Sequence, residues 1–273
     1  MFGDYEAQRH WMEITFNIPP AEWYMHTASN NLTYWGLDYP PLTAYHSWIL
    51  GFLSYHINSS WVELTASRGH ESYDHKFFMR LSVLMADAAI MIPAEILCVK
   101  RIMKPKSREE LIGYLLALIM YPGLMLIDYG HFQYNCVSLG LFLFAYLAID
   151  YGRIFSGTFL FCLALNYKQL ELYHAFPLFC YLLAMSVWDK RQNRLVPLLK
   201  LGAVVLCTFG LCWIPFILGG PNSVMHVVRR LFPFDRGIFE DKVANFWCSV
   251  SIVIKFRTLF KMEHLVRIWL VFQ

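Results

Sequence analysis

The sequence predicts an all-α polytopic membrane protein, a helix bundle preceded by a long polar segment that contains interfacial helices. Three observations lead there. Hydrophobic residues make up 57% of the chain and charged residues 16%, with a mean hydropathy of +0.40. Soluble domains carry roughly 25% charged residues, so a water-soluble fold of this composition would lack polar surface to cover itself. Apolar runs of roughly the length that crosses a bilayer recur from residue 77 onward. Basic residues gather in every second connection between those runs. The net charge of +3 is too small for a nucleic-acid partner, and no basic face interleaved with aromatics changes that.

Residues 1–76 form the polar first segment. Its opening, GDYEAQRHW, reads locally as a helix start, with Asp4 as a cap and Glu6 and His10 as an i,i+4 pair. Further on, WGLDYPPL places Pro40 and Pro41 just before a helical pattern, where proline suits the first turn. Asp38, ahead of the prolines, reads as a turn or cap acid. Tyr45, Trp48, Ile49, Phe52, Leu53 and His56 then recur at spacings of three and four, which is one face of a helix. That helix is too short and too polar to span, so it is expected to lie in the membrane interface, anchored by tryptophan and tyrosine.

Residues 77–218 carry the bundle, with spans read at 77–99, 111–127, 135–149, 154–166, 172–188 and 195–218. Prolines 93, 122, 177, 197 and 215 fall inside or near the ends of these runs, which membrane helices tolerate. Asp87 and Glu95 lie within the first of them and are expected to face the bundle interior beside polar neighbours. Residues 219–242 read as a polar loop with a basic cluster, and 243–273 as a further membrane segment with a run at 243–254. The seven cysteines all fall in or beside apolar runs, so they read as small buried side chains. No C-x-x-C spacing suggests a metal.

The connections set an orientation. Residues 100–108, KRIMKPKSR, carry five basic groups. Arg153, the stretch DKRQNR with Lys200, and Lys255, Arg257 and Lys261 mark the other connections on the same side. The positive-inside rule makes that side cytosolic. The opposite face then receives 1–76, 128–134, 167–171 and 219–242, and the sequons Asn31-Leu32-Thr33 and Asn58-Ser59-Ser60 both fall there. A first loop on that face calls for a preceding helix, so the chain is expected to be a piece of a longer protein.

That face also collects ionisable groups at the ends of apolar runs: Asp4, Asp38, Asp128, His131, Lys168, Glu171 and His174. Each alone reads as a solvated helix end; together they mark a candidate site. Arg229, Arg230, Arg236 and Lys242 add positive charge against the positive-inside trend. Arginine binds phosphate bidentately, and a lipid phosphate could reach this loop from the bilayer. Salt bridges of Arg236 with Asp235, Glu240 and Asp241 are an equal reading.

GDYEAQRHW, YWGLDYPPLTAYHS, LIDYGHFQYN, NYKQLELYHA and RRLFPFDRGIFEDKVANFW, in this order along the whole chain, resemble the endoplasmic reticulum α-1,3-glucosyltransferases of asparagine-linked glycosylation. These are membrane-embedded enzymes of the GT-C class that use dolichyl-phosphate-glucose. The resemblance implies a GT-C helix bundle in the endoplasmic reticulum membrane with its active site facing the lumen. It implies dolichyl-phosphate-glucose as donor and a dolichyl-pyrophosphate-linked oligosaccharide as acceptor, with neither cofactor nor metal. It also implies inversion of a β-linked donor to an α-glucoside, with Asp4 as general base. Asp38, Asp128, His131, Lys168, Glu171, Arg229, Arg230 and Arg236 are the candidates for substrate binding. WGLDYPPLTAYH is similar to the enzyme that adds the first glucose; the second-glucose sister shares the LDYPP core with different flanks. Family members also carry a transmembrane helix before the catalytic acid, and further helices with a luminal His-Glu-Lys motif, neither of which is present in this sequence. A polytopic transporter and a catalytically silent truncated form are the rival readings; no internal repeat supports the transporter.

Overall fold

The computed structural model describes residues 4–188 and 195–232, together with Val250 and Lys255. The chain divides into two compact units, Met1–Leu231 and Phe232–Gln273, and the helices described below belong to the first. Among the described residues there is no strand. The run at 243–254 lies outside them.

Two helices precede the long ones. α1, Asp4–Asn17, is buried from Tyr5 to Thr15 although half of that stretch is polar. α2, Pro41–Ile57, opens on the tandem proline as expected. It has two unlike faces. Thr43, Ala44, Ser47, Gly51 and Ser54 turn inward, while Trp48, Ile49, Phe52 and Leu53 are exposed. Small residues let α1 and α2 approach closely: a Cβ on Gly51 would sit 2.6 Å from the Met12 carbonyl oxygen. The apolar stripe seen in the sequence is therefore directed outward, as an interfacial helix requires.

Arg9 explains how a polar α1 can be buried. Its guanidinium is wholly enclosed and meets Glu6 Oε1 at 2.6 Å and Glu13 Oε2 at 2.7 Å, while Nη1 donates to Ser67 Oγ at 2.6 Å. Glu6 also accepts from the Tyr34 hydroxyl and the Gly69 N–H, and Glu13 from the Thr65 N–H. The helix thus gathers the chain between 34 and 69 around itself. The expected Glu6–His10 pair is not formed: Glu6 faces Arg9, and His10 Nδ1 lies 3.1 Å from Glu13 Oε2. The i,i+4 spacing was equally open to Arg9–Glu13, and the better donor won. Burial pushes the Glu13 carboxyl up, but the hydrogen bond with His10 and the charges of Arg9 and His10 outweigh it and hold the group at about 2.

α3, Tyr73–Met103, α4, Arg108–Gly130, and the helix over Val196–Leu218 are long and apolar enough to cross a membrane. Between them run α5, Asn135–Asp150, α6, Ile154–Tyr167, and α7, Leu172–Trp188, followed by α8, Leu195–Leu218. Each of the six runs read from 77 to 218 coincides with one of these helices. α3 starts four residues early because Ser72 caps it, accepting from the His75 N–H. α3 and α5 meet at Gly140, where a Cβ would lie 2.7 Å from Ile90 Cγ2 and 3.1 Å from Met91 Cα. At the far end of α5, Asp150 pairs with Arg101 Nε at 2.5 Å. This joins the basic end of α3 to the α5–α6 link, two of the connections the charge pattern assigned to one side.

Two expectations are corrected. Residues 219–242 are not all loop: Pro221–Leu231 forms α9, with proline in its first turn and Arg229 and Arg230 in its last. Gly219-Gly220 punctuates the chain there and hid the helical spacing of Val224, Val227 and Leu231 behind it. The described cysteines are not uniformly buried: Cys98, Cys136, Cys162 and Cys212 are, whereas Cys180 and Cys207 are exposed on α7 and α8, and Cys248 lies outside the described residues. An apolar helix surface that faces lipid exposes its small apolar side chains as readily as its large ones.

Candidate active site

The last residues of α4 form a single π-turn, Met125–Gly130, before the chain turns into α5. Such turns are frequent at functional sites. Here the turn buries Asp128 completely. Its Oδ2 accepts from the Cys136 N–H at 2.8 Å and its Oδ1 from Asn135 Nδ2 at 2.7 Å. The carboxylate sits against the first turn of α5, where free N–H groups and the helix dipole favour negative charge. Phe132, between the two helices, takes a left-handed φ of 60°. An aromatic residue adopts that conformation only where its surroundings demand it. Its ring packs edge-on against Tyr5 at 5.1 Å, fixing this turn to the start of α1.

Asp4 is the first residue of α1. Its Oδ2 accepts from Gln133 Nε2 at 2.6 Å. The other end of the Gln133 amide, Oε1, accepts from Lys168 Nζ at 3.1 Å, and Lys168 also donates to Asn135 Oδ1 at 2.5 Å. Lys168 lies in the short connection between α6 and α7, is 92% enclosed, and stands 4.8 Å from the centre of the Tyr39 ring. Burial pushes its ammonium down, opposed by the charges of Asp128, Asp4, Asp38 and Glu171. Four of the acids singled out in the sequence thus surround one lysine.

Asp4, Gln133, Asn135, Lys168 and His131 line one part of a groove of about 730 Å³. Most of the rest of its wall is apolar, including Met91, Leu118, Leu124 and Ile127, with Glu95, Tyr121 and Ser138 also on it. Opposite charges bridged by an amide at the polar end of a mostly apolar groove can hold a group that is itself half polar and half hydrocarbon. Among the described residues no three His, Cys, Asp or Glu side chains gather as a metal site would need.

The other candidates stand differently. Asp38 is half-buried beside this cluster, and its carbonyl accepts from Gln169 Nε2 at 3.1 Å. Glu171 is buried and meets His174 Nδ1 at 2.8 Å. Arg230 reaches neither Asp4 nor Lys168. It donates from Nη2 to the Gly36 carbonyl at 2.7 Å and from Nε to the Leu37 carbonyl at 3.0 Å, tying α9 to the WGLDYPP turn. Arg229 is exposed. Arg236 lies outside the described residues. Asp87 has the polar neighbour expected of it, the Tyr129 hydroxyl at 2.7 Å; Glu95 is buried, but its Oε2 has no hydrogen-bond partner in the structure. Sequence reasoning passed over Gln133 and Asn135, whose only signal was the amides of HFQYN standing between two apolar runs.

A bundle of apolar helices that ends in a buried lysine, a carboxylate and an amide over a half-apolar groove defines an all-α membrane protein with a polar cluster at one end of its helices. The chain belongs to the ALG6, ALG8 glycosyltransferase family, whose pattern it matches over residues 1–268. It is 51% identical over 261 residues to a chicken (Gallus gallus) protein named dolichyl pyrophosphate Man9GlcNAc2 alpha-1,3-glucosyltransferase, covering 95% of this chain and 51% of the relative. A mouse (Mus musculus) protein of the same name is 51% identical over 259 residues, covering 94% of this chain and 50% of the relative. An Arabidopsis thaliana protein named as a probable enzyme of that kind is 45% identical over 267 residues, covering 97% and 50%. The chain spans about half the length of these curated relatives.

Proposed function

We propose that the protein of which these residues are part transfers glucose from dolichyl-phosphate-glucose to the lipid-linked high-mannose oligosaccharide, forming an α-1,3 linkage with inversion. The work would take place at the luminal face of the endoplasmic reticulum membrane. The observation that carries this is the Asp4 carboxylate linked through Gln133 to Lys168 at the polar end of a groove with mostly apolar walls. The names of the relatives supply the acceptor, an oligosaccharide of nine mannoses, and favour the first-glucose reaction over that of the second-glucose sister.

The chemistry needs little machinery. Asp4 takes the proton from the acceptor hydroxyl as its oxygen forms a bond to C1 of glucose. On the opposite face of the sugar the bond from C1 to the phosphate oxygen breaks, and dolichyl phosphate leaves with the electron pair. A β-linked donor attacked from behind gives an α-glucoside. The departing dolichyl phosphate, a phosphate monoester, is already a weak base, so it needs no protonation, only positive charge where its own charge grows. Lys168 supplies that charge. This is one half of the two-carboxylate logic of inverting glycosidases, with phosphate replacing the protonated leaving group.

Asp4→Asn in the complete enzyme, in detergent or nanodiscs, with a dolichyl-phosphate-glucose analogue, tests the reading. Transfer should fall at least a thousandfold while the melting temperature stays within a few degrees. Near-normal transfer would remove Asp4 from the chemistry. A wild-type protein that moves substrate across vesicles without transferring glucose would favour the transporter reading.

A further inference from the structure

We infer that Gln133 is the positioning residue of the Asp4 base. The inference rests on the reading of Asp4 above and adds how that carboxylate is aimed. A lysine ammonium can only donate hydrogen bonds and a carboxylate can only accept them. The amide between them therefore has one orientation: Oε1 toward Lys168 at 3.1 Å, Nε2 toward Asp4 Oδ2 at 2.6 Å. Asn135 fixes the same polarity a second time. Its Oδ1 accepts from Lys168, while its Nδ2 donates to Gln133 Oε1 at 3.0 Å and to the fully buried Asp128 at 2.7 Å. The chain of bonds runs outward from Lys168 in both directions, to Asp128 through Asn135 and to Asp4 through Gln133.

The backbone supports this placement. Gln133 follows Phe132, whose left-handed φ of 60° turns the chain between α4 and α5. The Phe132 ring packs on Tyr5, so neighbouring residues of the two segments are joined twice: Tyr5 to Phe132 by ring contact and Asp4 to Gln133 by hydrogen bond. The guanidinium of Arg80 lies 5.3 Å from the centre of that ring. Asp4 stands at the end of a helix, where a carboxylate would otherwise turn freely. Gln133 occupies Oδ2 and so presents Oδ1 to the incoming hydroxyl. As a neutral spacer it also keeps the ammonium from pairing directly with the base, which would weaken it as a proton acceptor.

The test is the pH dependence of kcat/KM, whose acid limb reports the base of the free enzyme. Gln133→Glu has nearly the same shape but puts a second carboxyl against Asp4. Two facing carboxyls titrate as a pair, with one proton held more tightly. The acid limb should move up by about one pH unit or more, and kcat should fall about 10- to 100-fold with the donor KM within threefold. Gln133→Met, which keeps length but gives no donor, should lower kcat similarly. A purely structural role would lower yield or melting temperature and leave kcat per folded enzyme and the acid limb unmoved; that result overturns the proposal. So does wild-type turnover by both variants. Asp4→Asn, assayed alongside, separates the two levels: if it is inactive while Gln133→Glu behaves as wild type, only the positioning role fails, and if it is active, the base assignment fails first.

Discussion

Glu13 has the sharpest environment in the first helix. It shares the enclosed Arg9 with Glu6, meets His10, and accepts the Thr65 N–H, so its carboxyl is held at about 2 rather than the ordinary 4.5. A lowered pKa is a statement about stability. The folded protein prefers the charged form, so the contribution is complete above the unfolded value near 4.5 and disappears as pH falls through that value toward 2. The drop from 4.5 to about 2 corresponds to about 3 kcal/mol. Melting temperature measured across pH should therefore fall between about 5 and 2, and Glu13→Gln should lower it at neutral pH and flatten that decline. An equally steep acid decline in Glu13→Gln would show that other carboxyls govern it. The sequence displayed the charges of α1 but not their pairing, because four acid–base pairs on one helix compete and only burial beside Ser67 and Thr65 decides among them. The site divides the same way. Asp4, Asp128 and Lys168 were legible as charges at the ends of apolar runs, whereas Gln133 and Asn135 carry no charge and their role lies in the direction of their amides.

The helices were legible where their pattern is long and unbroken, as in the runs that became α3 to α8. α9 was not, since a double glycine before eleven residues looks like a loop until Arg230 is seen holding Gly36 and Leu37. The outward stripe of α2 was legible too, whereas the small residues of its inward face carried no signal of the close approach to α1. What joins these elements is small side chains, the general device by which helices approach where lipid is as apolar as leucine. Gly140 is the clearest case. Adding a Cβ brings it within 3.1 Å of backbone atoms of Ile90 and Met91, which cannot swing aside as a side chain can. Gly140→Val should push α3 from α5 and lower the melting temperature by several degrees, at a cost of about 1–3 kcal/mol or more. Gly113, which has nothing within 4 Å of a built Cβ, is the matched control, and Gly113→Ala should be neutral or slightly stabilising. Equal effects at the two positions would mean that close packing at Gly140 does not hold the bundle together.

The two ends of the whole bundle differ in chemistry, and that difference sets how it sits in a membrane. One end carries Lys100, Arg101 and Lys104, with Arg101 paired to Asp150 across two connections. At the other end, Asp4, Asp128 and Lys168 close the groove, and α2 presents its aromatic face. Positive connections stay on the cytosolic side during insertion, so the groove should open away from the cytosol, where a lipid-linked oligosaccharide facing the lumen could meet it. Ser107 and Ser59 are exposed markers of the two sides. In sealed endoplasmic reticulum vesicles with their cytosolic face outward, Ser107→Cys should react with a membrane-impermeant maleimide at once. Ser59→Cys should react only after the vesicles are opened. Among the described residues the exposed native cysteines are Cys180 and Cys207, both within apolar helices, where a charged reagent should not reach once they are in a membrane. Labelling of Ser59→Cys in intact vesicles, with Ser107→Cys protected, would invert the assignment and put Asp4 on the side where a luminal oligosaccharide cannot reach it.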